Sequence, residues 1–300
     1  MLASAPAAKA ARARRASAPL EYGCPILPAQ DALNQEIADA PVSPNSANYV
    51  ASIGLTAHLH PDFGTNPTYG IPFTVVGATQ PKVPIKFTAY GAESNPGPYP
   101  VPPHAPVEGG GKNGQGDKHV LVMQEGSCML YELYDAHHKG HGWSAASGAV
   151  FNLRSAALRP EGWTSADAAG LPIFPLLARY PEVAAGQIDH ALRVTVPASQ
   201  MGYIHPATHY ASNSSNPSLP PMGLRLRLKA SYSLAGFTGE SLVILEALKR
   251  FGLIVADNGS PWFITGAPSS HWNDEDLEQI KRVPGSEFEA VETGPTLHVG

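Results

Sequence analysis

Apolar and polar residues alternate in several short segments of this chain, and this period of two predicts β-strands. The clearest case is residues 224–231, where leucines occupy every second position and alternate with Arg225, Arg227 and Lys229. Such a pattern indicates a strand with one buried and one solvent-exposed face.

A hairpin is predicted where residues 118–123 and 128–134 flank the Glu125-Gly126 turn. A second hairpin is predicted from residues 253–256 and 262–265, because the Asn258-Gly259 pair between them is a strong hairpin signal. Similar runs predict further strands at residues 69–76, 82–90, 148–153, 188–196 and 288–291.

Helical signals are few. Residues 238–251 carry an apolar stripe and are followed by Gly252, which predicts a helix that stops there. Shorter helices are expected after Pro181, over residues 273–281, and at Thr164, where Asp167 completes a capping-box pattern.

These elements predict an α+β, β-rich fold, mainly an antiparallel sheet or sandwich, with a few short helices and long loops rich in Pro and Gly. The chain has 30 Pro and 29 Gly, and residues 95–116 form a loop of the length that is usually functional or disordered. Since no internal linker divides the chain, we expect a single domain over residues 23–300.

Residues 1–22 hold four of the 20 basic residues among Ala, Ser and Pro and lack an apolar core segment. They are expected to be a disordered basic tail or the remnant of a signal peptide. Cys24 and Cys128 are the only cysteines. We predict that they are bridged, and the alternative is two unrelated buried thiols. The composition favours a secreted or periplasmic protein.

The charge excludes some classes of function. A net charge of −5 gives no basic face for nucleic acid. No window approaches the roughly 18 apolar residues of a membrane span. The short motifs that name a reaction are absent, and nothing in the sequence calls for a cofactor. The oligomeric state is left open.

Carboxylates are the first candidate for chemistry. Glu132 stands in the middle of an apolar strand, where a charge is costly unless it is paired or faces a cleft. Asp167 follows in a polar turn, and the two form a candidate acid and base, with His190 and Arg193 as helpers. The structural alternative is that Asp167 caps a helix.

The turn that starts at Arg159 brings a cation, acids, hydroxyls and Trp163 together before an apolar run, which is typical of a ligand site. Arg159, Trp163, Trp143, Trp262 and Asp257 are the predicted substrate-binding residues, since flat aromatic faces suit sugar rings. Asp257 has the alternative role of a turn residue.

The 12 histidines are the second chemical signal. Some are paired or clustered, as in His58-Leu-His60 and the segment 137–141, and such imidazoles can ligate zinc or copper. A third ligand cannot be assigned, so we predict no metal.

Six segments are similar to a group of secreted proteins of soil bacteria known only as hypothetical proteins. They are HPDFG (60–64), CMLYELYDA (128–136), RPEGWTSADAAG (159–170), IDHALRVT (188–195), PMGLRLRLKAS (221–231) and VADNG (255–259). The resemblance covers roughly residues 24–295. It implies export and one integral domain, and it carries no activity.

Three functions follow. The leading hypothesis is an extracellular carbohydrate-active enzyme that cleaves a polysaccharide or oligosaccharide by hydrolysis or β-elimination. The second is a non-catalytic glycan-binding module, and the third is a structural or assembly protein of the cell envelope. Two carboxylates in one cleft favour the enzyme, a flat aromatic strip the binder, and a large exposed apolar patch the assembly protein.

Overall fold

The computed structural model describes residues 18–111, 114 and 116–299. The strands are β1 (Leu20–Glu21), β2 (Cys24–Pro25), β3 (His60–Asp62), β4 (Phe73–Val76), β5 (Ile85–Phe87), β6 (Val120–Gln124), β7 (Met129–Tyr134), β8 (His137–Lys139), β9 (Gly142–Ala145), β10 (Ser147–Asn152), β11 (Leu192–Val196), β12 (Arg225–Leu228), β13 (Leu253–Asn258), β14 (Phe263–Thr265) and β15 (Phe288–Val291).

The α-helices are α1 (Ser46–Ile53), α2 (Tyr180–Ala184), α3 (Gly239–Arg250) and α4 (Asp274–Leu277). Short 3₁₀ turns occur at Ala32–Asn34, Gly91–Glu93, Glu108–Gly110, Phe174–Leu176, Glu278–Arg282 and Gly285–Glu287. The α+β fold dominated by sheets is therefore as predicted.

Three of the four sheets formed by the described residues lie in successive layers. The largest has six strands in the order β15-β12-β13-β11-β14-β3, and a four-stranded sheet has the order β10-β7-β6-β4. Alternate residues of β6 enter two different cores: Leu121 and Met123 pack in the main core with β11 and β13, while Val120 and Val122 face a second core. The three-stranded sheet β5-β9-β8 covers that second core, which is why β6 is apolar on both faces.

The hairpin predicted around Glu125-Gly126 is confirmed as β6 and β7, which are antiparallel. The helix predicted over residues 238–251 is confirmed as α3, which buries Ile244, Leu245 and Leu248. The Cys24–Cys128 disulfide is also confirmed, with a Cα–Cα distance of 5.4 Å, and it ties β2 to the start of β7.

The solvent-exposed face predicted for residues 224–231 is wrong. Arg225 is 2% exposed and Arg227 is 9% exposed, because the segment of residues 32–40 covers them. Arg225 donates to the carbonyls of Ala32 and Phe251, and Arg227 donates to three carbonyls between Ile37 and Ala40. Backbone oxygens thus accept the hydrogen bonds that these guanidinium groups would make to water on a solvent-exposed face.

The second predicted hairpin is also wrong, because β11 lies between β13 and β14. β11 runs parallel to β13 and antiparallel to β14. The Asn-Gly turn therefore carries the chain across a strand that comes earlier in the sequence, which local turn chemistry cannot reveal.

The helix predicted at Thr164 does not form. The hydroxyl of Thr164 donates to the carbonyl of Asp167, the hydroxyl of Ser165 donates to the carbonyl of Leu171 at 2.6 Å, and Gly170 adopts a positive φ of 76°. These local bonds compete with a helical first turn, so the segment folds as a series of turns.

Residues 1–17 of the predicted tail lie outside the described residues. The chain already pairs at Leu20–Glu21, which forms an antiparallel hairpin with Cys24–Pro25.

Candidate functional site

A polar pocket of about 300 Å³ opens at the ends of three strands. Tyr134 ends β7, Ser147 begins β10, and Asp257 and Asn258 end β13. The turn of residues 164–168 closes one wall. The pocket is lined by Tyr90, Asp117, Tyr134, Ser147, Thr164, Ser165, Ala166, Asp167, Ala168, His209, Ala211, Asp257 and Asn258.

Arg193 joins two carboxylates at this pocket. Its Nε donates to Asp167 Oδ2 at 2.6 Å, and its Nη2 donates to Asp257 Oδ2 at 3.0 Å. The third nitrogen, Nη1, donates to Thr265 Oγ1 on the adjacent strand β14. Because one guanidinium binds both acids, the two carboxylates are close neighbours. Three of the residues singled out from the sequence, Asp167, Arg193 and Asp257, are thus in contact with one another.

The two carboxylates differ in access to solvent. Asp167 is enclosed, with a fully buried side chain, and its Oδ1 accepts a hydrogen bond from the backbone N–H of Ala169. The side chain of Asp257 is 23% exposed and reaches the pocket. Burial raises the pKa of Asp257 to about 6, the positive charge of Arg193 opposes this rise, and the negative charge of Asp167 adds to it. Asp257 therefore keeps its proton to a higher pH than an ordinary aspartate does, and loses it near pH 6.

A second ion pair, between the buried His119 and the partly buried Glu108, lies behind the turn. His119 Nδ1 is 2.7 Å from Glu108 Oε2, and His119 Nε2 is 2.9 Å from the carbonyl oxygen of Ala166, the residue before Asp167. Burial favours the neutral imidazole, but the Glu108 carboxylate overcomes it and raises the pKa of His119 to about 9. Both ring nitrogens therefore donate, and the imidazolium anchors the pocket wall. The pair was not predicted, because Glu108 lies in a Gly-rich loop with no recognisable pattern.

Glu132 is fully buried between the four-stranded and the six-stranded sheet, and it does not line the polar pocket. Its carboxylate accepts hydrogen bonds from the backbone N–H groups of Ile173 and Phe174, at 2.9 to 3.0 Å, where the 3₁₀ turn Phe174–Leu176 begins. Burial raises the pKa of Glu132 to about 7, although the hydrogen bonds from Phe174 and Ile173 favour the ionised form and lower the pKa. The geometry gives Glu132 an anchoring role for residues 171–177.

His190, the other predicted helper, lies in a separate buried cluster. Its Nε2 is 3.1 Å from Glu182 Oε1 and 3.1 Å from Arg179 Nη2, and Arg179 also faces Glu21 at 3.6 Å. The cluster joins α2 to the first strand. The structure therefore does not bring His190 to the pocket.

The predicted substrate-binding residues are dispersed. Arg159 and half-buried Trp163 lie together in the turn, with the guanidinium 5.7 Å from the ring. Trp143 is 4% exposed and belongs to the second core. Trp262 is fully buried, stacks on Phe288 and donates to the carbonyl of Gly54.

The aromatic side chains that line the pocket are instead Tyr90 and Tyr134. Tyr90 is 46% exposed. Burial, followed by the negative charges of Asp117 and Asp257, which line the same pocket, raises the pKa of Tyr134. The alternation of β7 places Tyr134 on a strand, but only the tertiary fold brings it beside Asp257.

His209 and Asn258 supply further polar atoms. His209 Nδ1 lies 2.7 Å from the carbonyl oxygen of Ala168, so Nδ1 carries the proton and Nε2 offers a lone pair in the neutral ring. The side-chain oxygen of Asn258 is buried and has no hydrogen-bond partner among the described residues. Within the same part of the chain, no group of three or more His, Cys, Asp or Glu side chains is arranged to hold a metal ion.

Comparison of the chain with protein-family models, with curated proteins and with solved structures gives no match. None of the described helices is long and apolar enough to cross a bilayer. The intramolecular disulfide is of the kind that persists in oxidising compartments.

Proposed function

We propose that the protein is an extracellular enzyme that cleaves a polysaccharide or oligosaccharide by acid–base hydrolysis, with Asp257 as the proton donor. The observation that carries the proposal is the pair of carboxylates, Asp167 and Asp257, on one guanidinium at a polar pocket. Burial and the charge of Asp167 raise the pKa of Asp257, and an acid with a raised pKa beside a pocket is a candidate general acid.

The reaction needs a donor and a base on opposite sides of the bond. Protonated Asp257 gives its proton to the glycosidic oxygen as the bond from that oxygen to the anomeric carbon breaks. Asp117, which is exposed and lines the same pocket, removes a proton from a water molecule whose oxygen forms the new bond to that carbon. Asp167 and Arg193 are positioning residues in this scheme, since they hold Asp257.

The proposed general acid is therefore Asp257, whereas the sequence alone pointed to Glu132. Glu132 has no access to the pocket, whereas Asp257 combines access with a raised pKa. Export is part of the proposal, and it rests on the disulfide and on the low share of charged residues.

Product analysis tests the proposal. The purified chain is incubated with a panel of plant, fungal and bacterial polysaccharides, and soluble products are identified by mass spectrometry. On the substrate that is cleaved, Asp257→Asn is expected to lower kcat by about 100-fold or more. Asp39→Asn, a matched change at an exposed aspartate, should leave kcat unchanged. Full turnover by the Asp257→Asn variant would refute the role of Asp257.

A second candidate function is glycan binding without cleavage. It is favoured by Tyr90, an exposed ring at the pocket that can stack on a sugar. Affinity electrophoresis in polysaccharide gels distinguishes the two functions: a binder is retarded without forming products, and Tyr90→Ala removes the retardation.

A further inference from the structure

A second cavity of about 300 Å³ lies on the other side of the same turn. Most of its wall is apolar and includes Leu33, Met129, Val150 and Leu171. The size is at the lower end of the range of about 300 to 1,000 Å³ that small-molecule sites occupy. The cavity shares no lining residue with the polar pocket.

Arg159 is the one cation among the residues that line this cavity, and it is only 8% exposed. Its guanidinium donates to three neutral acceptors: the carbonyl of Thr164 at 2.9 Å, the side-chain oxygen of Asn95 at 2.7 Å and the carbonyl of Glu93 at 2.6 Å. These bonds use three of the five N–H groups of a guanidinium, which leaves two.

The charge of Arg159 has no counter-ion within 4.0 Å in the part of the chain that the structure describes. Burial accordingly lowers the pKa of Arg159. An enclosed cation without a carboxylate is costly, and an anion in the cavity would relieve that cost. Arg225 is also buried and bound to carbonyl oxygens, but it does not line this cavity. A ligand in the cavity would therefore meet Arg159 and not Arg225.

Asp31 is the one acid in the wall. It is buried, and its Oδ1 accepts the backbone N–H of Leu33. A ligand with a second negative charge would meet this carboxylate without a further cation in the wall to balance it.

We propose that this cavity binds a small apolar monocarboxylate, whose carboxylate pairs with the free N–H groups of Arg159 and whose apolar body fills the space beside Met129, Val150 and Leu171. Arginine suits this role because its planar fork matches a carboxylate. The site does not depend on the chemistry of the polar pocket.

Calorimetric titration of the full chain with 3-phenylpropanoate tests the site. Two matched probes are 3-phenylpropan-1-ol, which lacks the charge, and phenylsuccinate, which carries two. The monocarboxylate is expected to bind at least about tenfold more tightly than either, because the ion-paired hydrogen bonds form only with it. Equal affinity for the alcohol, or no binding of the monocarboxylate at millimolar concentration, would overturn the proposal.

Two variants locate the binding. Ala157→Phe adds a ring at an exposed position of the cavity wall and should abolish binding, while Ala185→Phe, at the exposed end of α2, should not. Arg159→Gln should abolish the preference for the acid over the alcohol. Arg159 also holds the turn, so the result for Arg159→Gln is used only if the Tm of this variant stays near that of the wild type. If its Tm falls, the Ala157→Phe variant alone tests the location of the site.

Amide chemical shifts give an independent location. Bound 3-phenylpropanoate should shift the amide signals of Val150 and Leu171, which line the cavity. Shifts confined to Tyr134 and Asn258 would place the ligand in the polar pocket and refute the site.

Discussion

Replacing Glu132 by Gln should change how the stability of the protein depends on pH. Gln keeps the shape of Glu132 and retains an oxygen that accepts the N–H groups of Ile173 and Phe174. It removes only the ability to ionise. We therefore expect Glu132→Gln to have little effect at low pH and to raise the free energy of unfolding at high pH.

The magnitude follows from the raised pKa of Glu132, which changes from an ordinary value of 4.5 to about 7. An acid that binds its proton more tightly when folded favours folding most below its unfolded pKa, and this advantage is lost as the pH rises through the folded pKa. A tenfold change in proton affinity corresponds to about 1.4 kcal/mol, so the cost of ionised Glu132 reaches about 3 kcal/mol above pH 7.

Urea unfolding of the wild type and of Glu132→Gln, at about pH 4 and about pH 8, measures this difference. The variant should gain about 3 kcal/mol relative to the wild type between the two pH values. Glu246→Gln, at an exposed position of α3, controls for the loss of a carboxylate. If the difference between wild type and Glu132→Gln is the same at both pH values, burial does not raise the pKa of Glu132 and the reasoning fails.

Three further predictions concern the disulfide, the buried histidine and the proposed acid. Reduction of Cys24–Cys128 in denaturant, followed by refolding under reducing conditions, should lower the Tm by on the order of 7 °C, since closing this long loop stabilises by about 4 to 5 kcal/mol; an unchanged Tm would contradict it. His119→Gln should destabilise by about 2 to 3 kcal/mol because it removes a charge-assisted hydrogen bond from the partly buried Glu108 carboxylate. Adding Glu108→Gln should recover part of that loss in urea unfolding, and the loss should shrink as the pH rises through about 9. On a cleaved glycan, kcat/KM should fall as the pH rises through about 6, where Asp257 loses its proton, and a rate that rises there would exclude Asp257 as the acid.

Local patterns predicted those elements whose pairing is also local. The hairpin of β6 and β7 and the helix α3 follow directly from alternation and from an apolar stripe, because sequence neighbours are also partners in space. The pairing of β13 with β11 joins segments about 60 residues apart, and nothing in either segment specifies the other. The prediction that Arg225 is exposed is wrong for the same reason, since the backbone that covers it is that of residue 32, far away in the sequence.

Part of the candidate site could be predicted. Asp167, Arg193 and Asp257 were candidates by residue type, and the fold brings them into contact. Glu132 was a candidate because a carboxylate in an apolar strand needs a partner, and its partners are two backbone amides, which leave no trace in the sequence. Glu108 and His119 could not be found, because their pairing depends on the path of a Gly-rich loop.

The contrast between Glu132 and Asp257 indicates where chemistry is to be sought in this fold. Burial raises the pKa of both acids, but the oxygens of Glu132 are held by amides inside the core, whereas Asp257 opens onto a pocket. A buried ion pair such as Arg193 with Asp167 contributes little net stability, because a protein with apolar residues of similar volume in its place is often equally stable. Arg193 and Asp167 are better explained by their effect on the half-buried Asp257 beside them: Arg193 fixes its position, and the charge of Asp167 helps to keep it protonated.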